Sequence, residues 1–64
     1  MRELDPAKML FKIPEVMATT GYSRGALYAQ IRSGALPIVK LGRSTRIHRA
    51  DLEAWIEALR EESR

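Results

Sequence analysis

GYSRGALYAQIRSG, residues 21–34, is the stretch that decides the fold. Gly21 suits a tight turn, because glycine adopts positive φ angles without steric cost. Ser23 is a favourable N-cap residue, since its hydroxyl can accept a hydrogen bond from a free N–H of the first helical turn. Leu27 and Ile31 lie one turn apart and give the following helix an apolar face. The stretch therefore predicts a turn followed by an amphipathic helix.

The opposite face of this helix is small, aromatic and basic. Gly34 stands where a glycine commonly ends a helix, so the helix is predicted over residues 23–33. At about 100° per residue, the residues that point away from the apolar face are Gly25, Tyr28, Ala29 and Arg32. None of them is acidic. A short turn followed by such a helix is typical of a helix-turn-helix, whose second helix enters the major groove of DNA.

Charge is distributed unevenly along the 64 residues. Residues 21–50 hold six Lys or Arg and no Asp or Glu, whereas residues 51–64 carry a net charge of −3. The whole chain has a formal net charge of +3. Because a solvated surface normally interleaves both signs, the acid-free middle favours a polyanionic partner. The alternative is that six charges are merely spread around the domain.

The elements on either side follow from periodicity and turn residues. Ile13–Thr20 is predicted as a first helix, with Pro14 and Glu15 in its first turn. Its apolar stripe is Ile13, Val16, Met17 and Thr20. Residues 38–41 and 45–48 predict the two strands of a β-hairpin. The predicted turn of that hairpin is Gly42, Arg43 and Ser44, and its tip carries Arg43 and Arg46.

The last helix is predicted over residues 50–60. Its apolar stripe is Leu52, Trp55, Ile56 and Leu59. Met9–Phe11 is too apolar for a free tail and is predicted to form an extended lead-in to the core. The centre of the core is expected to be Leu27, Ile31, Leu52, Trp55 and Ile56.

These elements predict one domain over residues 1–64. The fold class is mostly α with one β-hairpin, a winged helix-turn-helix in the order α-α-β-β-α. Residues 1–9 and 61–64 are expected to form a lead-in and a tail that fray.

Helix and hairpin together offer side chains that suit groove binding, which needs a small or polar helix face and cations that reach the backbone. The helix candidates are Tyr28 and Arg32, and the hairpin candidates are Lys40, Arg43, Ser44, Thr45 and Arg46.

Other classes of function find little support in the sequence. His48 is the only histidine and there is no cysteine, so no metal site is expected. At a strand–helix junction, His48 is expected to be a surface or capping residue, and the glutamates of the last helix a solvated face. No apolar run is long enough to span a membrane. We therefore expect neither an enzyme nor a cofactor, and a cytoplasmic location.

An ordered set of motifs over about residues 10–59 resembles the MerR-like winged-helix domains of phage excisionases, also called recombination directionality factors. The motifs are Phe11-Lys12-Ile13-Pro14-Glu15-Val16, Gly21-Tyr22-Ser23-Arg24, Leu27-Tyr28, Ile31-Arg32-Ser33-Gly34, Leu36-Pro37, Val39-Lys40-Leu41-Gly42-Arg43, Arg46-Ile47 and Arg49-Ala50-Asp51-Leu52-Glu53-Ala54-Trp55.

The resemblance implies a small architectural DNA-binding protein of the bacterial nucleoid. Such proteins bind repeated sites at a phage attachment region, bend the DNA, assist a tyrosine integrase in excision and oppose integration. Carried over by position, the helix contacts are Ser23, Arg24, Gly25, Tyr28 and Arg32, and the wing contacts are Lys40, Arg43, Ser44, Thr45 and Arg46. The implied partners are double-stranded DNA, the integrase and other copies of this chain on DNA, with a monomer in solution and no membrane.

Two departures from the family pattern bear on that implication. Family members often carry long polar or basic side chains where this chain has Gly25 and Ala29. Direct readout of bases is therefore expected to be thin, and binding is expected to depend more on phosphate contacts and DNA shape. Lys12 stands where a Ser or Thr cap is common, so the first helix is expected to start less firmly.

Two other functions remain open at this point. A small transcriptional regulator of prophage genes would have the same fold. A protein-interaction module, such as an antitoxin or an adaptor, would instead use an exposed apolar patch, for which Met9–Phe11 is the candidate.

Overall fold

Three helices and a three-stranded antiparallel sheet make up residues 7–63, the part of the chain that the computed structural model describes. The elements are β1 (Leu10–Lys12), α1 (Ile13–Thr20), α2 (Arg24–Arg32), β2 (Val39–Leu41), β3 (Ser44–His48) and α3 (Arg49–Glu62). The helix-turn-helix is α1 and α2, and the β2–β3 hairpin is called the wing below. This is a winged helix-turn-helix, as the sequence predicts. The predictions for residues 1–6 and for residue 64 lie outside the described residues.

The sheet has one strand more than the predicted hairpin. Its order is β1-β3-β2, with β3 in the middle and antiparallel to both neighbours. The extended lead-in predicted at Met9–Phe11 becomes strand β1, in which Phe11 lies opposite Ile47. A two-stranded hairpin is marginal in water, and this third strand gives the wing a base that is part of the folded core.

The first helix has the predicted bounds. The Glu15 carboxylate accepts a hydrogen bond from the backbone N–H of Lys12 at 2.9 Å and also pairs with the Lys8 ammonium. The missing Ser or Thr cap is therefore replaced from the third helical position. The Lys8 hydrogen bond, followed by the one from Lys12, lowers the pKa of the Glu15 carboxyl.

The predicted buried stripe of α1 is wrong at one position. Thr19, not Thr20, is buried with Ile13 and Val16. The Thr20 hydroxyl instead donates back to the Val16 carbonyl at 2.7 Å, inside its own helix. Adjacent residues of a helix point about 100° apart, so only one of the two threonines can face the core, and that one is Thr19.

The turn between α1 and α2 has the geometry predicted from Gly21. Its φ is +79°, and its N–H donates to the Met17 carbonyl at 2.8 Å. Residues that have a side chain rarely adopt that φ, so the turn requires glycine. Ser23 caps α2 as predicted, with its hydroxyl accepting from the Ala26 N–H at 3.2 Å, and Gly34 follows α2 with a φ of +86°.

The core differs from the predicted centre in part of its membership. Leu27, Leu52 and Trp55 are buried as predicted, whereas Ile31 and Ile56 are only partly buried and pack against its rim. The complete buried apolar cluster is Phe11, Ile13, Val16, Leu27, Leu36, Ile47, Leu52 and Trp55. The additional members are contributed by the sheet, by α1 and by the loop after α2.

The last helix is longer than predicted. It begins at Arg49 and continues to Glu62, two residues beyond the predicted end at Arg60. His48 is its N-cap residue, and its ring Nδ1 accepts from the Ala50 N–H at 3.0 Å. The prediction of a capping role for His48 is confirmed.

Candidate nucleic-acid interface

The outward face of α2 carries four of the five residues singled out on it. Ser23, Arg24, Gly25 and Arg32 are exposed, as is Ala29 between them. Tyr28 is the exception: it is only partly exposed and packs against the core cluster. The prediction that Tyr28 points away from the core is therefore wrong in part, because its ring covers the edge of the core as well as facing solvent.

The inward face of α2 is fixed by a polar contact that the sequence did not predict. The Trp55 ring N–H donates to the Gln30 side-chain oxygen at 3.1 Å. Trp55 also meets the Tyr22 ring edge-on, with the ring centroids 5.0 Å apart. A buried indole N–H needs an acceptor, and Gln30 supplies one from α2. This hydrogen bond therefore joins α2 to α3.

The wing ends in a two-residue turn. Leu41 lies opposite Ser44, so Gly42 and Arg43 alone connect the strands. The predicted turn residue Ser44 is thus the first residue of β3, a correction that follows from the pairing. Gly42 has a φ of +64°, and Arg43 does not have a positive φ. Glycine at the first central position is the requirement of a type II′ hairpin turn, whose twist matches the strands.

The wing side chains divide between two faces of the sheet. In an antiparallel sheet, residues opposite each other share a face, and neighbours along a strand alternate. Phe11 and Ile47 are buried against the helices, so their face is the inner one. By alternation, Lys40 and Thr45 lie on the inner side beyond the core, where the Lys40 ammonium donates to the Thr45 hydroxyl at 3.3 Å.

Arg46 does not lie at the tip of the wing, contrary to the prediction. It is in the middle of the central strand, on the outer face, opposite Val39 on one side and Lys12 on the other. Its guanidinium donates to the Thr45 carbonyl at 3.1 Å. No carboxylate of the described residues 7–63 pairs with Arg46. Arg43 is the cation at the tip itself.

Lys12 is a basic residue of this surface that the sequence analysis missed. It is exposed and lies directly across the strand pair from Arg46. No local pattern could have shown this, because the pairing joins strands that are more than thirty positions apart in the chain. The outer face of the sheet therefore carries two adjacent cations.

Arg49 is the one cation of the basic middle that the fold uses internally. Its Nε donates to the Lys8 carbonyl at 2.8 Å, and its guanidinium carbon lies 5.1 Å from the centroid of the Phe11 ring. A weak ion pair of 3.9 Å joins it to Glu53. The acid-free segment thus presents five of its six cations outward or at the rim: Arg24, Arg32, Lys40, Arg43 and Arg46.

The ten candidate residues form two groups, one on α2 and one on the wing. Within residues 7–63, no hydrogen bond, ion pair or ring contact joins the two groups. The ion pairs of the same residues all lie elsewhere, at Lys8–Glu15, Arg49–Glu53 and Arg60–Glu57. The cations of both groups are therefore unneutralised by carboxylates of the described chain and can attract phosphates.

Chemistry other than binding has few candidate residues in the described part of the chain. Residues 7–63 contain no group of three His, Asp or Glu side chains placed to hold a metal ion. The Nδ1 of His48 is occupied by its capping bond. None of the helices described is both long and apolar enough to cross a lipid bilayer.

Comparison with known proteins gives a family for this fold. The family model described as a helix-turn-helix domain matches residues 10–60, most of the chain and every element named above apart from the last two residues of α3. No curated protein and no solved structure matches the chain. The helix-turn-helix is a DNA-binding domain, and the exposed basic groups on α2 and on the wing agree with that role. The chain therefore belongs to the helix-turn-helix domain family of DNA-binding proteins.

Proposed function

We propose that this protein is an excisionase: a DNA-binding architectural protein that directs site-specific recombination and catalyses nothing itself. It binds repeated sites at an attachment region, bends the DNA, promotes excision by a tyrosine integrase and opposes integration. The observation that carries the proposal is the pair of basic groups, one on α2 and one on the wing, within a helix-turn-helix domain. The ordered motifs over residues 10–59 support the choice of this group of DNA-binding proteins.

The small outward face of α2 favours an architectural role over tight recognition of one site. The side chains of Gly25 and Ala29 cannot hydrogen-bond to a base edge, so Arg24 and Arg32 must make most of the direct contacts with bases. One copy should therefore bind a single site weakly and with modest selectivity. Useful affinity then comes from several copies side by side, since linked binding raises the effective concentration.

The acidic face of α3 supports contact between neighbouring copies on DNA. Glu53 and Glu57 are exposed and one turn apart on that helix. In a row of copies on direct repeats, this face would meet the basic face of the next molecule. We propose a monomer in solution that binds such repeats cooperatively. Glu53→Gln with Glu57→Gln should reduce cooperativity on two repeats while leaving affinity for one repeat unchanged.

The decisive experiment is a recombination assay with the cognate integrase, run in both directions. The expected result is that excision requires the protein and that integration is inhibited by it. Arg43→Ala should weaken both effects. Arg43→Lys is the matched control, because it keeps a positive charge at the exposed tip of the wing and should retain both effects. If both directions proceed equally with and without the protein, the excisionase proposal fails.

A small transcriptional regulator of prophage genes is the second candidate. The same fold and the same basic groups favour it equally, since fold does not determine function. It predicts binding to an operator near a promoter and changed transcription of a reporter in a cell that has no integrase. The recombination assay and the reporter assay together separate the two functions.

A further inference from the structure

An exposed leucine stands at the tip of the wing. Leu41 is the last residue of β2, next to the two-residue turn, and its exposed fraction is 49%. Among residues 7–63 only one other large apolar side chain, Met9, is as exposed. Single exposed apolar residues are common on protein surfaces. Leu41 differs from such residues in its position at the tip of the wing and in its charged neighbours.

The neighbours of Leu41 are cationic. Lys40 precedes it on the opposite face of the hairpin, where its ammonium donates to the Thr45 hydroxyl. Arg43 follows it across Gly42, and both cations are exposed. Neither cation pairs with a carboxylate of the described chain. A partner that binds this tip must therefore be anionic where it meets the two cations and apolar where it meets the leucine.

Duplex DNA has that combination in its minor groove. Phosphates line both edges, deoxyribose sugars form the walls, and the edges of the stacked bases form the floor. At about 6 Å across, the groove admits only a narrow element, and a hairpin closed by two residues is narrow at its end. Apolar side chains that enter there separate base steps and kink the duplex.

We propose that Leu41 is an apolar wedge that enters the minor groove between two base pairs, with Lys40 and Arg43 on the flanking phosphates, and so bends the DNA. The inference rests on the proposed function, from which it takes DNA bending. It adds the residue that produces the bend. Because Leu41 is exposed and outside the core cluster, its replacement should leave the fold intact.

The test uses a duplex selected by this protein from random-sequence DNA, with a fluorophore at each end. Energy transfer between the fluorophores reports the bend, and 2-aminopurine placed at successive adenines reports unstacking. The wild-type protein should shorten the end-to-end distance and raise 2-aminopurine fluorescence at one step. Leu41→Ala should abolish both signals and weaken binding about tenfold, the loss expected for one buried leucine.

Two further variants separate a wedge from a general charge effect. Leu41→Lys adds a cation, so it should strengthen binding if position 41 merely lies over phosphates, but it should abolish the bend if the side chain is a wedge. Leu41→Met retains an apolar side chain of similar size and should retain the bend. Met9→Ala is the matched control, since it removes the other exposed apolar side chain and should change neither signal.

Three results would overturn the proposal. If wild-type protein binds the duplex without bending it, both the bending and the wedge are wrong. If it bends the duplex and Leu41→Ala bends it equally, only the wedge is wrong and the proposed function stands. If wild-type protein binds phosphatidylserine vesicles, Leu41→Ala does not, and the DNA bend is unchanged, the leucine serves a membrane surface instead.

Discussion

Gly25 is the residue whose identity the fold itself does not require. It lies in the first turn of α2, its φ is not positive, and a Cβ built on it meets no atom within 4 Å. Glycine in a helix costs roughly 0.5–1 kcal/mol relative to alanine, with the lower value appropriate to a first turn. Nothing within the described chain offsets that cost.

Gly25→Ala should therefore stabilise the protein by about 0.5 kcal/mol, since it lowers the conformational entropy of the unfolded chain. Urea unfolding followed by circular dichroism measures the change. Ala58→Gly, the reverse substitution at an exposed position within α3, is the control and should destabilise the protein by about 1 kcal/mol. A less stable Gly25→Ala protein would mean that the backbone at residue 25 has a strain that the geometry does not reveal.

Glu15 should make the stability of the protein depend on pH in the acid range. Its pKa is lowered in the folded state by Lys8 and by the Lys12 N–H, so its contribution is fully present above the unfolded pKa of about 4.3. The contribution is lost as the pH falls from there through the folded pKa. Glu15→Gln should cost under about 1 kcal/mol at pH 6, because the pair is partly exposed, and less at pH 3, below the unfolded pKa.

Unfolding free energies at both pH values test this prediction. In Glu15→Gln the difference between pH 6 and pH 3 should shrink, whereas Glu62→Gln, at the far end of α3, should retain the difference seen in the wild-type protein. An unchanged difference in Glu15→Gln would show that other carboxyl groups govern the acid response.

At the scale of the elements, Arg49 and Arg43 show how differently two cations of the same segment are used. Arg49 joins the start of α3 to the start of β1 through the Lys8 carbonyl and the Phe11 ring. Arg43 lies at the exposed tip of the wing, with no hydrogen bond or ion pair recorded for it within residues 7–63. One cation therefore belongs to the fold and the other is available to a partner.

Arg49→Ala should destabilise the protein by about 1.5–3 kcal/mol, the range for hydrogen bonds to charged groups. Arg43→Ala should leave the melting temperature unchanged and weaken binding to DNA. Melting curves and gel shifts of both variants at one salt concentration check the contrast. If Arg43→Ala melts lower and Arg49→Ala does not, the assignment of the two residues is reversed.

At the scale of the whole molecule, one small core joins the three helices with strands β1 and β3. Leu27 is fully buried at its centre, and removing such a side chain costs about 2–5 kcal/mol. A domain of this size has only a few kcal/mol of stability, at roughly 0.05–0.15 kcal/mol per residue. Leu27→Ala should thus be largely unfolded by circular dichroism at 25 °C. Leu41→Ala, the same change at an exposed leucine, should stay folded. A folded Leu27→Ala protein would contradict the placement of α2.

The distribution of charge predicts how strongly salt weakens binding to DNA. Five cations of residues 21–50 remain for phosphates once Arg49 is assigned to the fold. If four or five of them neutralise phosphates, the slope of log K against log salt should be about −4. Titrations between about 50 and 200 mM salt measure the slope. A binding constant that does not change over this range of salt would show that these cations do not neutralise phosphates.

Features set by neighbouring residues could be predicted from the sequence alone. The bounds of α1, the left-handed turn at Gly21 and the caps at Ser23 and His48 all depend on hydrogen bonds between residues within four positions. The stripe of α3 follows from its period in the same way. These local interactions predicted the three helices, the hairpin and the winged helix-turn-helix, including an acid-free basic helix face, but not strand β1.

Only the tertiary structure decided which distant residues meet. Pairing of β1 with β3 placed Phe11 against Ile47 and Lys12 beside Arg46, and the folding of the chain after α2 buried Leu36 completely. The contacts of Arg49 with Lys8 and Phe11 also remove its guanidinium from the basic surface. Such contacts depend on how the whole chain packs its apolar area, and no short sequence pattern contains that information. The sequence by itself therefore determined the helices, the hairpin and their charge, and packing determined strand β1 and which cations face outward.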